Sequence, residues 1–356
     1  MRIAFYCTRG ASCFVFTPRT IHERGVGGAE LGLITIAEAL AAEGHDVAVF
    51  NTCPSPGVYD GVVYARSDDL ARLLGTEWDA FVLVRNPAPG DLMSQVRARR
   101  RIFFSCDQFT TGNYATDVFP KVDHTVAISP YHRDYLADRY GEPPSRITAV
   151  DLPVRIAEYE PELRLPHKTP HRLIYCSVPG RGLEHLARLF PRIRANQADA
   201  ELIVTSDYSL WGEGIAAGNE PLRALFAGMP GVSFLGKVHR RELVRLQMSA
   251  DILAYPNHPV SGNCELFGIS VAECQVAGAV PVTSAYGAFT TTVIEGCLIG
   301  GDPSEPTYQS AFVHGILDLW SSRGRLTGHQ TRLRAAALAR FDPWRVAGLW
   351  TAVLRG

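Results

Sequence analysis

The chain has 356 residues, of which 46% are hydrophobic, and a formal net charge of −1 at pH 7. This length exceeds one ordinary hydrophobic core, so we expect two domains. The near-balanced charge argues against the basic surface that is typical of nucleic-acid-binding proteins. The eight cysteines form no C-x-x-C pair, which argues against a zinc site and favours a reducing, cytoplasmic setting. No run of about 18 apolar residues predicts a transmembrane helix, and contact with a membrane surface stays open.

Apolar strand-like runs alternate with helix-like segments along the first half of the chain. The runs lie at 3–7, 47–50, 80–84, 101–104, 125–128 and 147–150, with helices predicted at 29–43 and 130–140. A second series of runs lies at 172–176, 200–204, 232–235, 252–255 and 280–282. This alternation is typical of doubly wound α/β domains, so we place one domain at 1–160 and another at 161–342.

The most informative segment follows the run at 252–255. Glu265 and Glu273 stand eight positions apart, and between them lies Phe267-Gly268, where a residue without Cβ lets the backbone approach a ligand. A helix is predicted to begin here and to stop at Gly278. Its first N–H groups and partial positive charge suit a phosphate or diphosphate. Eight helical positions span about 12 Å, so two carboxylates could hold hydroxyl groups on either side of one diphosphate.

These residues resemble the Glu-seven-residues-Glu signature of the family 4 retaining glycosyltransferases. The resemblance implies the α/β GT-B architecture, with two doubly wound, Rossmann-like domains facing a central cleft and a C-terminal helix at 343–356 that can pack back on the first domain. It also implies that Glu265 contacts the donor sugar, that Glu273 binds the ribose, and that the backbone of Phe267, Gly268 and Ile269 meets the sugar and diphosphate. The alternative is an ordinary strand–helix unit with two solvated glutamates.

Two basic residues of the second domain resemble the family's phosphate contacts. Arg181 matches the second basic position of the turn after the run at 172–176, whereas the first basic position is replaced by Cys176 and Ser177. Lys237 follows a Phe-x-Gly turn that the family shares. Fixed cations of this kind stabilise the charge of a leaving nucleoside diphosphate. Because the chain has no Asp-x-Asp motif, a site without a metal is expected. A solvated surface cation is the alternative at both positions.

Two segments of the first domain carry weaker resemblances. Gly27, Gly28 and Glu30 resemble a Gly-Gly-x-Glu loop that approaches the donor phosphates and the acceptor. Many family members have His-Asp after the run at 101–104, whereas this chain has Cys106 and Asp107. Asp107 is therefore a candidate acceptor contact and catalytic group, with Cys106 beside it. A flexible loop and a strand-end aspartate that caps a turn are the alternatives.

The resemblance implies transfer of a sugar from a nucleotide diphosphate-sugar, with UDP or GDP expected as the nucleotide, to an acceptor hydroxyl with retention of configuration. Glu265, Arg181 and Asp107 are the expected catalytic residues, no cofactor is expected, and the acceptor is a sugar, a lipid-linked sugar or a small molecule. Three alternatives stay open: a nucleotide-sugar epimerase, a phosphorylase with a pyridoxal phosphate lysine, and a non-catalytic nucleotide-sugar binding protein.

The strongest basic cluster consists of Arg97, Arg99, Arg100 and Arg101. We interpret it as a solvated helix end rather than a site for anionic lipid at the inner face of the membrane.

Overall fold

The computed structural model describes residues 1–7, 15–23, 25–85, 92–109, 114–159, 166–211, 219–257 and 264–356. It consists of two compact units. Unit 1 comprises Met1–Pro153 and Asp342–Gly356, and unit 2 comprises Val154–Phe341. The boundary after residue 153 lies before the 160/161 boundary that was placed from the sequence, and the end of the chain belongs to unit 1.

Each unit is built on one sheet. The described strands are β1 Arg2–Cys7, β2 Asp46–Asn51, β3 Gly57–Tyr59, β4 Val62–Arg66, β5 Trp78–Val84, β6 Ala98–Phe104, β7 His124–Ala127, β8 Ile147–Ala149, β9 Arg172–Tyr175, β10 Glu201–Val204, β11 Val232–Phe234, β12 Ile252–Tyr255, β13 Val280–Ser284 and β14 Cys297–Ile299.

Helices connect these strands. Those in the described ranges are α1 Pro18–Glu23, α2 Gly28–Ala42, α3 Leu70–Gly75, α4 Leu92–Gln95, α5 Pro130–Tyr140, α6 Leu183–Asn196, α7 Asn219–Leu225, α8 Arg240–Ser249, α9 Ile269–Val276, α10 Phe289–Thr292, α11 Pro306–Trp320, α12 Arg323–Arg340 and α13 Pro343–Arg355. No helix in these ranges is both long enough and apolar enough to cross a membrane.

The sheet of unit 1 has the strand order β3-β4-β2-β1-β5-β6-β7-β8, and the sheet of unit 2 has the order β11-β10-β9-β12-β13-β14. All pairs are parallel except β3 with β4. Continuous apolar runs such as Ile3–Cys7 are buried throughout, because helices cover both faces of a parallel sheet. The observed fold confirms the predicted α/β class with two parallel-sheet domains.

The direction of winding reverses once within each sheet. In unit 1 the chain moves from β1 outward to β2 and β4, then crosses to β5 on the other side of β1. In unit 2 it moves from β9 outward to β10 and β11, then crosses to β12. The connections after the two central strands therefore diverge between β1 and β5 and between β9 and β12. Such switch points leave a crevice at the carboxyl ends of the strands, where ligands of open α/β sheets bind.

Helix α13 belongs to the core of unit 1. The indole of Trp350 is fully buried, with its ring 5.8 Å from Phe5 in β1 and 4.9 Å from Phe104 in β6. Thr351 adds polar contacts, since its hydroxyl donates to Glu43 at 3.0 Å and lies 3.1 Å from His45 Nε2. The amphipathic pattern that marked this segment as a helix also provides the face that packs on α2.

The buried amine of Lys168 predicts a pH-dependent stability in unit 2. Its Nζ donates to Ala277 O, at the carboxyl end of α9, at 2.7 Å, and burial lowers its pKa from 10.5 to about 7. Between these two values the unfolded chain binds more protons than the folded chain, so this group makes the free energy of unfolding rise with pH. We expect Lys168→Met to remove that rise, measured as the difference in denaturant midpoint from wild type at pH 6.5 and pH 9.5.

The exposed Lys237 provides the matched control. Lys237→Met should leave the difference from wild type the same at both pH values. An equally steep pH dependence in wild type and in Lys168→Met would contradict the assignment.

Candidate active site

The switch point of unit 2 brings together two of the predicted donor residues, Arg181 and Glu265. Arg181 lies in the turn between β9 and α6, Tyr255 is the last residue of β12, and Glu265 precedes α9. Arg181 and Glu265 form an ion pair through Nη1 and Oε1, with 23% and 13% of their side chains exposed. Tyr255 donates its hydroxyl to the same Oε1 at 3.3 Å, and Ser177 Oγ lies 2.6 Å from that hydroxyl. A cation, a carboxylate and two hydroxyl groups thus meet at the carboxyl ends of the central strands.

The environment fixes the charges of this group. Burial by itself would lower the pKa of Arg181, but the adjacent Glu265 carboxylate outweighs burial and raises it. Burial raises the pKa of Tyr255 well above its ordinary value, and Glu265 raises it further, so the phenol stays neutral. Arg181 is therefore a permanent cation and Tyr255 a neutral donor. A partly exposed, charge-paired cation of this kind can turn to an anionic ligand without a change in protonation.

Two glycines allow close approaches of the backbone beside this group. Gly182 has φ +99°, and a Cβ there would lie 2.0 Å from Pro256 O. Gly268 has φ +79°, and a Cβ there would lie 2.6 Å from the ring of Phe289. Both positions need the left-handed backbone that glycine adopts without strain, and both leave no room for a side chain.

Gly268 also defines the start of α9. It provides no side-chain cap, so the first N–H groups of the helix, beginning at Ile269, depend on a partner outside the helix. The ring of Phe267 is buried and packs edge-on against Phe341 at 5.9 Å. At this step, therefore, the backbone of Phe267, Gly268 and Ile269 is the part that can meet a ligand, together with the positive end of a helix.

Glu273 lies in a buried network. Arg240 Nη1 donates to Glu273 Oε1 at 2.6 Å, and Gln247 Nε2 donates to Oε2 at 3.3 Å. Only 4% of the Glu273 side chain is exposed. Arg240 Nε also donates to Glu158 Oε2 at 2.7 Å, and Tyr159 donates its hydroxyl to Gln247 at 2.6 Å. Both oxygens of Glu273 accept bonds from unit 2 itself, and its low exposure leaves little of the carboxylate open to a ribose.

The remaining candidates of unit 2 make other contacts. The Lys237 side chain is exposed, and its backbone N–H donates to Asp207 Oδ2 at 3.4 Å. Cys176, at the position where the family has a basic residue, places its Sγ 3.6 Å from Cys274 Sγ. Arg181 is accordingly the predicted phosphate contact whose guanidinium lies at the switch point.

The candidates of unit 1 lie at the switch point of the other sheet. Gly27 immediately precedes α2, which begins at Gly28, and the Glu30 carboxylate folds over Gly27 so closely that a Cβ there would lie 2.5 Å from Oε2. Asp107 follows β6, and Arg85, which the sequence analysis did not single out, joins Glu30 to Asp107. Cys106 is buried, and burial raises the pKa of its thiol well above 9.0, so it is a neutral neighbour.

Position in the sequence could have revealed some of the missed residues. Arg85 directly follows the buried strand β5, and Tyr255 ends β12, so both stand where the carboxyl end of a central strand was predicted. Arg240 gave no such signal, because nothing local links it to Glu273. Within the described ranges, no three His, Cys, Asp or Glu side chains lie close enough together to hold a metal ion.

The comparisons with known proteins concern the family and the fold. Residues 171–322, within unit 2, match the family model described as Glycosyl transferases group 1. Comparison with curated protein sequences gave no significant match.

Solved structures resemble the whole chain. AviGT4, a glycosyltransferase involved in avilamycin A biosynthesis, has a TM-score of 0.69 at 17% identity over 99% of this chain and 97% of its own. Sucrose-phosphate synthase from Thermosynechococcus elongatus has a TM-score of 0.70 at 16% identity, over 99% of this chain and 98% of its own. HepE from Anabaena, in complex with UDP and glucose, has a TM-score of 0.67 at 14% identity, over 99% of both chains. At these identities the likeness establishes the fold, and it agrees with the resemblance drawn from the sequence: residues 171–322 are similar to a group 1 glycosyltransferase domain, in a chain that has the GT-B fold.

Proposed function

We propose that the protein transfers a sugar from a nucleotide diphosphate-sugar to an acceptor hydroxyl, with retention of anomeric configuration and without a required metal ion. The observation that carries the proposal is the Arg181–Glu265 pair at the switch point of unit 2, beside the start of α9. One side of this group supplies positive charge for a diphosphate, and the other supplies a carboxylate for sugar hydroxyls. The group 1 domain contains all of these residues.

Each group has a role in the proposed reaction. Arg181 and the first N–H groups of α9 bind the diphosphate and stabilise the charge that develops on it. Glu265 accepts hydrogen bonds from the donor sugar and orients it, while Tyr255 holds Glu265. The bond between the anomeric carbon and the phosphate oxygen breaks, and its electron pair stays on the nucleoside diphosphate. The acceptor oxygen then bonds to the anomeric carbon from the same face, and its proton passes to the released phosphate oxygen.

The donor and the acceptor belong to the proposal as well. UDP or GDP is the proposed nucleotide, and no further cofactor takes part. Lys168 is unsuited to holding pyridoxal phosphate because its amine is buried against Ala277 O. A sugar, a lipid-linked sugar or a small molecule serves as acceptor, at the unit 1 residues Glu30 and Asp107.

A thermal-shift screen tests the donor site. The purified protein is heated with UDP, GDP, ADP, TDP or CDP and with their common sugars, with and without EDTA. Binding to the folded state adds about RT ln(1 + [L]/Kd) to the free energy of unfolding, and this raises the melting temperature. We expect one nucleotide family to raise it equally with and without EDTA.

Product analysis then separates the possible activities. Release of nucleoside diphosphate only with an acceptor, and a retained anomeric configuration by NMR, would support the transferase. Conversion of the donor alone would indicate an epimerase, and binding without turnover a binding protein. No shift with any nucleotide would contradict the proposal.

A further inference from the structure

Arg85 occupies an unusual backbone conformation at the switch point of unit 1. It directly follows β5, its N–H donates to Phe104 O in β6 at 2.9 Å, and its φ is +67°. A non-glycine residue rarely adopts this left-handed conformation, which persists where the surrounding structure imposes it. Arg85 thus stands at the point where the connections from β1 and β5 diverge.

The guanidinium of Arg85 organises two carboxylates from different elements. Its Nε and Nη2 donate to the two oxygens of Asp107 at 2.5 and 2.6 Å, and its Nη1 donates to Glu30 Oε1 at 3.3 Å. The exposed fractions of the side chains are 13% for Arg85, 15% for Glu30 and 30% for Asp107. Arg85 and Glu30 are therefore similarly buried, and Asp107 is the most exposed of the three side chains. A planar fork of this kind fixes both the distance and the plane of a carboxylate.

The charges of this cluster restrict what it can bind. Glu30 and Asp107 outnumber Arg85, and the neighbouring thiols of Cys7 and Cys106 add no charge because burial raises the pKa of both. Burial also raises the pKa of Glu30, which Arg85 counteracts, so the cluster carries no net positive charge at neutral pH. Carboxylate oxygens accept hydrogen bonds, so a ligand must donate them. Hydroxyl and ammonium groups meet that requirement, whereas an ionised phosphate or carboxylate would bring further acceptor oxygens against the two carboxylates.

We propose that Arg85 is a positioning residue for the acceptor, and that the carboxylates it holds select a hydroxyl-rich acceptor without negative charge. This inference rests on the proposed function, since it assigns the substrate class of the acceptor side of that reaction. Arg85 acts through Asp107 and Glu30, which contact the acceptor hydroxyls. The phosphate-binding role of a cation belongs to Arg181 in unit 2, and Arg85 does not share it.

The first test compares Arg85→Gln and Arg85→Lys with wild type, using the UDP- or GDP-sugar that gives the largest thermal shift. We expect Arg85→Gln to raise the KM for the acceptor at least tenfold while the affinity for the nucleotide changes less than twofold. Arg85→Lys keeps the positive charge but lacks the planar guanidinium, so its KM for the acceptor should lie between those of wild type and Arg85→Gln. The control is Arg66→Gln, which removes an exposed arginine at the end of β4 that pairs with Asp68, and should leave the acceptor KM unchanged.

The second test uses glucose, glucosamine, glucose 6-phosphate and glucuronate as matched acceptors. We expect glucose and glucosamine to bind at least tenfold more tightly than the two anionic sugars. Glu30→Gln leaves the contact between Arg85 and Asp107 in place. It should reduce the difference in affinity between the two groups of acceptors, a change that a folding defect would not produce. This variant also replaces Arg85→Gln as the decisive one if the latter does not fold.

The outcomes separate the two proposals. A nucleotide-induced shift and sugar transfer, together with preference for the anionic acceptors, would overturn this inference and leave the proposed function standing. An equal loss of nucleotide and acceptor affinity in Arg85→Gln would also overturn the positioning role. Absence of both nucleotide binding and transfer would overturn the proposed function and this inference with it.

Discussion

Replacing Glu265 with glutamine is expected to lower kcat/KM for sugar transfer at least about tenfold, the order expected for the loss of a charge-assisted contact. The amide keeps the size of the side chain and an oxygen for Tyr255, but it no longer compensates Arg181. Arg181→Gln should cause a loss of the same order, because it removes the cation that binds the diphosphate. The measurement is steady-state release of nucleoside diphosphate, with the thermal shift for that nucleotide recorded in parallel.

A surface glutamate of the same unit provides the control for this prediction. Glu242→Gln in α8 disrupts an exposed pair with Arg245 and should leave turnover within twofold of wild type. Because Glu265 and Arg181 touch, the double variant should lose less than the sum of the two single losses. Near-normal rates in both single variants would show that this pair is not the donor site.

Replacing Arg240 with methionine is expected to cause the largest loss of stability. The change removes the cation that lies between Glu158 and Glu273, and leaves the nearly inaccessible Glu273 charge without its partner. Breaking a buried pair in this way costs about 3–5 kcal/mol of unfolding free energy. The measurement is the denaturant-induced unfolding transition of unit 2, followed alongside the thermal midpoint.

Two further variants serve as a control and as a compensating change for Arg240→Met. Arg245→Met, on the same helix but 65% exposed, should change the unfolding free energy by no more than about 0.5 kcal/mol. Adding Glu273→Gln to Arg240→Met should restore part of the loss, because the uncompensated charge is gone. An Arg240→Met protein as stable as wild type would contradict the buried network. Nucleotide affinity in Glu273→Gln alone then measures whether Glu273 also contacts the ribose, which stays a prediction.

The parts of the fold that the sequence predicted are those where burial imposes a simple pattern. Continuous apolar runs become the central strands because helices cover both of their faces, and β1, β5 and β12 are examples. The hairpin of β3 and β4 was missed although Asp60-Gly61, both with positive φ, carries a hairpin signal. The strands of this hairpin are too short to form a long apolar run that would predict a strand. The same holds for β14, which has three residues.

The interpretation of the basic cluster as a solvated helix end was wrong in its secondary structure, although Arg97 and Arg99 are solvated, with 56% and 86% of their side chains exposed. Arg99, Arg100 and Arg101 lie in β6 rather than at a helix end. The guanidinium of Arg101 donates to the carbonyl oxygens of Met93 and Val96, so it ties down the turn before the strand. Local charge density predicted a solvated surface, but it contains no information on the carbonyl groups that a long side chain can reach.

The candidate site shows the same limit at a longer range. The spacing of Glu265 and Glu273 placed one carboxylate before a helix and the other within it, as observed. Spacing does not say which way the second carboxylate faces, because that depends on Arg240 and Gln247 from α8. Arg85 was likewise invisible to a motif search, because its partners Glu30 and Asp107 are distant in sequence and meet only through the strand order of the sheet.

The position of α13 has a consequence for the order in which the protein folds. Unit 2 is one continuous stretch of chain, whereas unit 1 needs residues from both ends. While the ribosome is still making unit 2, Phe5 and Phe104 lack the indole of Trp350 that covers them. Domains usually finish folding in the order of their synthesis. Here unit 1 is begun first but completed only after unit 2, and an apolar surface of the nascent chain stays uncovered until α13 emerges.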